Sequence, residues 1–163
     1  MSFNFDTILQ QGKVAAENVK KNRAQVKEVL NDLEESLKRF LDMDLEHEQR
    51  IEYVQNQDPM LALTNMLKPR EITGYKLLYI KNKQSDEDLF LFKIKFSADI
   101  YPVTIVREKN HIVADDQNEF ADAVGQVMSN SQLHLKLGSF KRRVDEKIAQ
   151  LPKPVPKDDE ETD

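Results

Sequence analysis

The chain has 163 residues, enough for one ordinary domain or a smaller globular unit with an arm, and too few for two full domains. Hydrophobic residues make up 39% and charged residues 33%, a composition on the polar side of globular that fits a long helix exposing most of its circumference. The absence of cysteine excludes disulfide frameworks, thiolate nucleophiles and cysteine-ligated metals, and the net charge of −5 (−4 over residues 1–58, +2 over 59–151, −3 over 152–163) is neither basic enough to signal nucleic acid nor acidic enough to mimic it.

The first stretch, residues 5–54, carries two interleaved seven-residue series. One is Phe5, Gly12, Val19, Val26, Leu33, Phe40, His47, Val54; the other is Leu9, Ala16, Arg23, Leu30, Leu37, Asp44, Ile51. Read as a and d positions they form a coiled-coil seam, with no Gly or Pro between Lys13 and Gln57 to break a single helix of roughly 75 Å. Asp6 is the expected cap, and Pro59 ends the helix by pushing the preceding residue out of the helical region. Pairs such as Glu34 with Lys38, one turn apart, solubilise the outer side. The seam is densest at Val19, Val26, Leu30, Leu33, Leu37 and Phe40, the expected oligomer interface. The stripe could instead pack along the C-terminal helices of its own chain, but its length favours a second copy.

Residues 59–68 read as a short helix, with Asp58 as cap and Pro59 at its first position. After Pro69 the period becomes alternating. Strands are expected at residues 75–81, 89–96, 101–107 and 111–114, with Phe90, Phe92, Ile94 and Phe96 together on one face and Lys93 and Lys95 on the other. Short connections make this a four-stranded antiparallel meander, with Pro102 at an edge or just outside the ladder. Asp116 with Glu119 forms an Asp version of the capping box for a helix whose stripe is Phe120, Val124, Val127 and Met128. A last helix follows to Gln150 through Leu133, Leu137, Phe140, Val144 and Ile148, although Leu133, Leu135 and Leu137 also alternate as a short strand would. Residues 152–163, Pro-rich and then acidic, are expected to be disordered.

No catalytic set assembles from spacing. His47, His111 and His134 are scattered, no HExxH motif is present, the serines lack a glycine-flanked elbow, and four dispersed glycines draw no phosphate loop. Asp115, Asp116, Glu119 and Asp122 could serve acid–base chemistry or a divalent cation, but capping accounts for them. Lys136, Lys141, Arg142, Arg143 and Lys147 form the densest positive patch, the candidate contact for a nucleic-acid backbone.

The expectation is therefore an α+β protein: a long N-terminal coiled-coil helix as oligomerisation arm (1–58), an α+β domain (59–151) whose sheet carries two C-terminal helices on one face, and a tail (152–163). The function class is a non-enzymatic homo-oligomeric interaction protein of adaptor or inhibitor type, dimeric through its arm and binding a protein partner through its α+β unit. The alternative is a nucleic-acid-binding accessory protein using residues 141–143. No cofactor, metal or membrane contact is expected. The opening residues, with no basic start or apolar run, fit a cytoplasmic chain.

Overall fold

Helix α1 spans Phe5–Leu41, 37 residues or about 55 Å, in a computed structural model that describes residues 4–55, 60, 66 and 68–152. Its cap is Asn4, whose side chain accepts from the Thr7 N–H at 3.4 Å, in place of the expected Asp6. The helix stops thirteen residues short of the expected end at Val54. Asp42 adopts a left-handed conformation (φ 53°), the N–H groups of Asp42 and Met43 return to the Lys38 carbonyl, and Lys141 donates to the freed Leu41 carbonyl at 2.9 Å.

The chain then turns back as strand β1, Glu46–Tyr53, where a continued helix was expected. Strands β2 (Ile72–Lys81), β3 (Asp88–Ser97), β4 (Ile100–Arg107) and β5 (Asn110–Ala114) follow in a meander of order β1-β2-β3-β4-β5, every pair antiparallel. The sheet thus has five strands and not four. Helices α2 (Gln117–Met128) and α3 (Ser131–Gln150) complete the fold, and residues 133–138 are helical. Expectations for residues 59–68 and 152–163 fall, apart from Met60, Met66, Lys68 and Pro152, outside the described residues. Among the described residues no helix is long and apolar enough to cross a membrane.

One core joins both ends of the chain. Val26, Leu30, Leu37 and Leu41 of α1 and the connector residue Leu45 meet Leu78, Ile80, Phe92, Ile94, Val103 and Ile105 of the sheet and Phe120, Val124, Leu133, Leu137, Phe140 and Val144 of the later helices. The stretch expected to be a detached arm up to residue 58 therefore supplies core residues from Val26 onward.

Two irregularities set the strand faces. Leu78 pairs with Phe92 but Tyr79 pairs with Phe90, so Leu91 is an extra residue on β3 and the side-chain alternation inverts there. Phe92, Ile94 and Phe96 face the helices, whereas Phe90 turns to the opposite face and meets the Tyr79 ring at 5.6 Å. This corrects the expectation that all four residues share a face. The second shift, between Phe96 and Ser97, accommodates Pro102, which follows a cis bond and lies beyond the last β4–β5 pair at Val103 and Ala114.

The α1–β1 turn is fastened by one carboxylate. Glu34 accepts the His47 backbone N–H at 2.9 Å and the His47 Nδ1–H at 2.5 Å, and lies 2.9 Å from the Lys38 ammonium. Asn82, almost fully buried, donates to the Asp44 carbonyl at 2.8 Å and ties the β2–β3 loop to the same turn. Burial opposes ionisation of Glu34, but the Lys38 bond and the two His47 bonds outweigh it and hold its carboxyl at about 2 against an ordinary 4.5. The unfolded chain therefore takes up a proton that the folded chain refuses, and this contribution to stability is lost as pH falls from 4.5 toward 2.

Two outcomes follow for stability. Glu34→Gln should destabilise the fold by on the order of 1–3 kcal/mol at pH 7, and denaturant titrations should show the gap from wild type closing as pH drops through that window. Asp116 accepts the Glu119 N–H at 2.9 Å, which forms the expected cap, while Glu119 reaches back to the N–H of Asp115, one residue before the cap, at 2.7 Å, so the box is shifted by one residue. Asp116→Ala should cost about 1 kcal/mol, read as a fall of about 2–4 °C in the thermal midpoint.

Candidate interaction surfaces

Helix α1 divides into a covered and an uncovered length. Its C-terminal half lies along α2 and crosses the sheet, fastened by Gln117 to Glu28 at 2.8 Å and, further out, by Asn22 to the Asp99 carbonyl at 3.0 Å. Of the six residues expected to form a seam between copies, Val26, Leu30 and Leu37 are buried in this chain's own core and Leu33 packs against it. Those four are engaged without any second molecule, which corrects the expectation for them. Val19 is half-buried, and Phe40 is 63% exposed with its ring edge-on to His134 at 5.7 Å.

Residues 5–18 are all exposed. Ile8 (62% exposed) and Leu9 (70%) lie there on the helix face that becomes the buried stripe further along, together with Gly12, Ala15 and Ala16. A Cβ built on Gly12 would meet nothing within 4 Å. Small residues in this position let another helix approach closely.

The basic residues of α3 are brought to one helix, and most have partners. Lys141 lies 3.6 Å from Asp145 besides its bond to Leu41, and Arg142 lies 3.9 Å from Glu146. Arg143 and Lys147 converge on Glu87 at 2.9 and 2.6 Å. Lys147 and then Arg143 hold the Glu87 carboxyl below the usual range. Lys136 is exposed. This side of α3 presents alternating charge in place of a cationic stripe, a poor match to a phosphate backbone.

The sheet face turned away from the helices was expected to carry Lys93 and Lys95, but its aromatic residues were not placed there by the sequence reading. Tyr75, Leu77 and Tyr79 of β2 and the inverted Phe90 of β3 lie there, with Lys93, Lys95 and Arg50 among them. The Arg50 guanidinium sits 4.1 Å over the Tyr79 ring and bonds Glu48 and Asp88 at 2.9 and 2.7 Å; Lys95 lies over Tyr75 at 5.5 Å. Lys93 pairs with Glu52, which also accepts from the Thr73 hydroxyl at 2.8 Å. Burial raises the Glu52 carboxyl, yet Lys93 and Thr73 bring it below its usual range. The signal available in the sequence was the apolar character of β2 on both faces, since a sheet covered on one side only would have kept Tyr75, Leu77 and Tyr79 polar.

The three histidines stay apart: His47 is bound to Glu34, His134 lies on α3 against the Met128 carbonyl, and His111 stands on β5. Among the described residues no group of three His, Asp or Glu side chains is placed to hold a metal ion. No family model, curated protein or solved structure matches this chain.

Proposed function

We propose that the protein is a non-enzymatic interaction protein in which the outer turns of α1 join two copies, while the body presents its uncovered sheet face to a protein partner. The observation that carries this reading is the continuity of one helix face: covered by the chain's own body from Val26 to Leu41, and open at Ile8 and Leu9. A second copy suits the open length because it brings the same apolar and small residues, and Gly12 and Ala16 allow two such helices to approach closely. Four exposed turns bury less than the about 800 Å² per partner of a standard interface, so the dimer is reversible and concentration-dependent.

The outer sheet face has the composition of a protein-binding surface. It combines Tyr, Phe and Arg, the residue types that concentrate binding energy, with charges of both signs at its margin. The nucleic-acid alternative draws less support, since four of the five cations proposed for it already face carboxylates.

Light scattering over a concentration series tests the arm. The intact chain should rise from 19.0 kDa toward twice that mass. The double variant Ile8→Glu/Leu9→Glu should remain monomeric with unchanged helicity, its dimer dissociation constant raised by about 100-fold or more from the loss of two buried aliphatic side chains. A wild-type chain that stays at 19.0 kDa throughout, or a double variant that associates equally well, would overturn the proposal.

A further inference from the structure

Arg107 occupies a position where an apolar residue is the rule. It ends β4, and alternation after Val103 and Ile105 carries it onto the helix-covered side of the sheet, where it is 6% exposed. The chain reverses immediately afterwards through Glu108 (φ 54°) and Lys109, and Arg107 pairs with Asn110 across the hairpin. Its Nη1 donates to the carbonyl of Leu91, the bulged residue of β3. The bulge thus explains one of the guanidinium's bonds and no more.

The other two nitrogens, Nε and Nη2, are buried and have no hydrogen-bond partner among the described residues. They are the pair whose N–H bonds run side by side along one edge of the guanidinium, the edge that takes both oxygens of a carboxylate or phosphate. Beside this residue the hairpin and the end of α2 enclose a cleft of about 600 Å³. Lys109 and His111 line it from the hairpin, Gln126 and Asn130 from the α2–α3 side, and no carboxylate is among its described lining residues. Every other buried or half-buried cation described above has an acid or an aromatic ring beside it.

We propose that this cleft binds a phosphorylated small molecule, with the Nε–Nη2 edge of Arg107 taking two phosphate oxygens and Lys109 supplying the second positive charge. A phosphate dianion matches two cations where a carboxylate matches one, and a cleft of this volume is several times larger than a lone phosphate, so the group belongs to a larger ligand. Lys109, Asn110 and Gln126, which line the cleft with Arg107, are exposed, so an anion can enter from solvent.

Inorganic phosphate, titrated into the intact chain at constant ionic strength set with sodium chloride, is the probe. Amide chemical shifts should move saturably at residues 107–112 and 126–130. Lys109→Ala, a substitution at an exposed turn that leaves the core untouched, should weaken binding about tenfold, the loss of one of two facing charges. Arg107→Lys keeps the charge and removes the two-pronged edge, and should abolish saturation whether or not its stability falls, with a folded spectrum as the control. Absence of saturable shifts with phosphate, or an affinity unchanged in Lys109→Ala, would overturn the proposal, and equal affinity for acetate would overturn the choice of phosphate.

Discussion

A helix of 37 residues can lie against a body of this size for only part of its length, and most of the architecture is a response to that limit. The body accepts the apolar stripe between Val26 and Leu41, where α2, the sheet and the helix share one core. Leu41 is the last α1 residue in that core, and the chain turns there and brings Leu45 into it. Asp42 takes the left-handed conformation that ends the helix, Lys141 satisfies the carbonyl left open, and Glu34 grips the first turn of the next element through His47. The chain then adds a strand to the sheet. At the other end the same limit leaves residues 5–18 exposed.

Much of this was legible in the chain. The helical period of residues 120–128 and 133–148, the cap at Asp116 and, apart from Phe90, the alternation of the last four strands are local signals, and the native packing agrees with them. Residues 46–53 failed for an identifiable reason. Glu, Gln and Arg are good helix formers, and His47, Ile51 and Val54 prolong a seven-residue series by coincidence. Neither signal registers that β2 offers an edge with which these residues can pair. Tertiary pairing overrode propensity there.

The two proposed binding surfaces share one irregularity. A single extra residue, Leu91, places Phe90 on the uncovered face beside Tyr79 and, a few ångströms away, exposes a carbonyl that draws the Arg107 side chain inward. Nothing in the local sequence marks Leu91 as a bulge. Read by strict alternation, Phe90 becomes a core residue and Arg107 a cation at the end of a strand. One backbone register shift therefore adds Phe90 to the open face and supplies the carbonyl that holds Arg107 beneath the covered one.

The outermost strand carries a further consequence. Along β1, Glu46, Glu48, Arg50 and Glu52 fall at successive alternate positions. A neighbouring molecule seeking to extend the meander by docking its own rim here would have to strip water from that row of charges. Ionic side chains along an unpaired rim are a recognised safeguard against runaway polymerisation into fibrils. The polarity that disguised these eight residues as helix thus also disfavours edge-to-edge pairing of the sheet at β1.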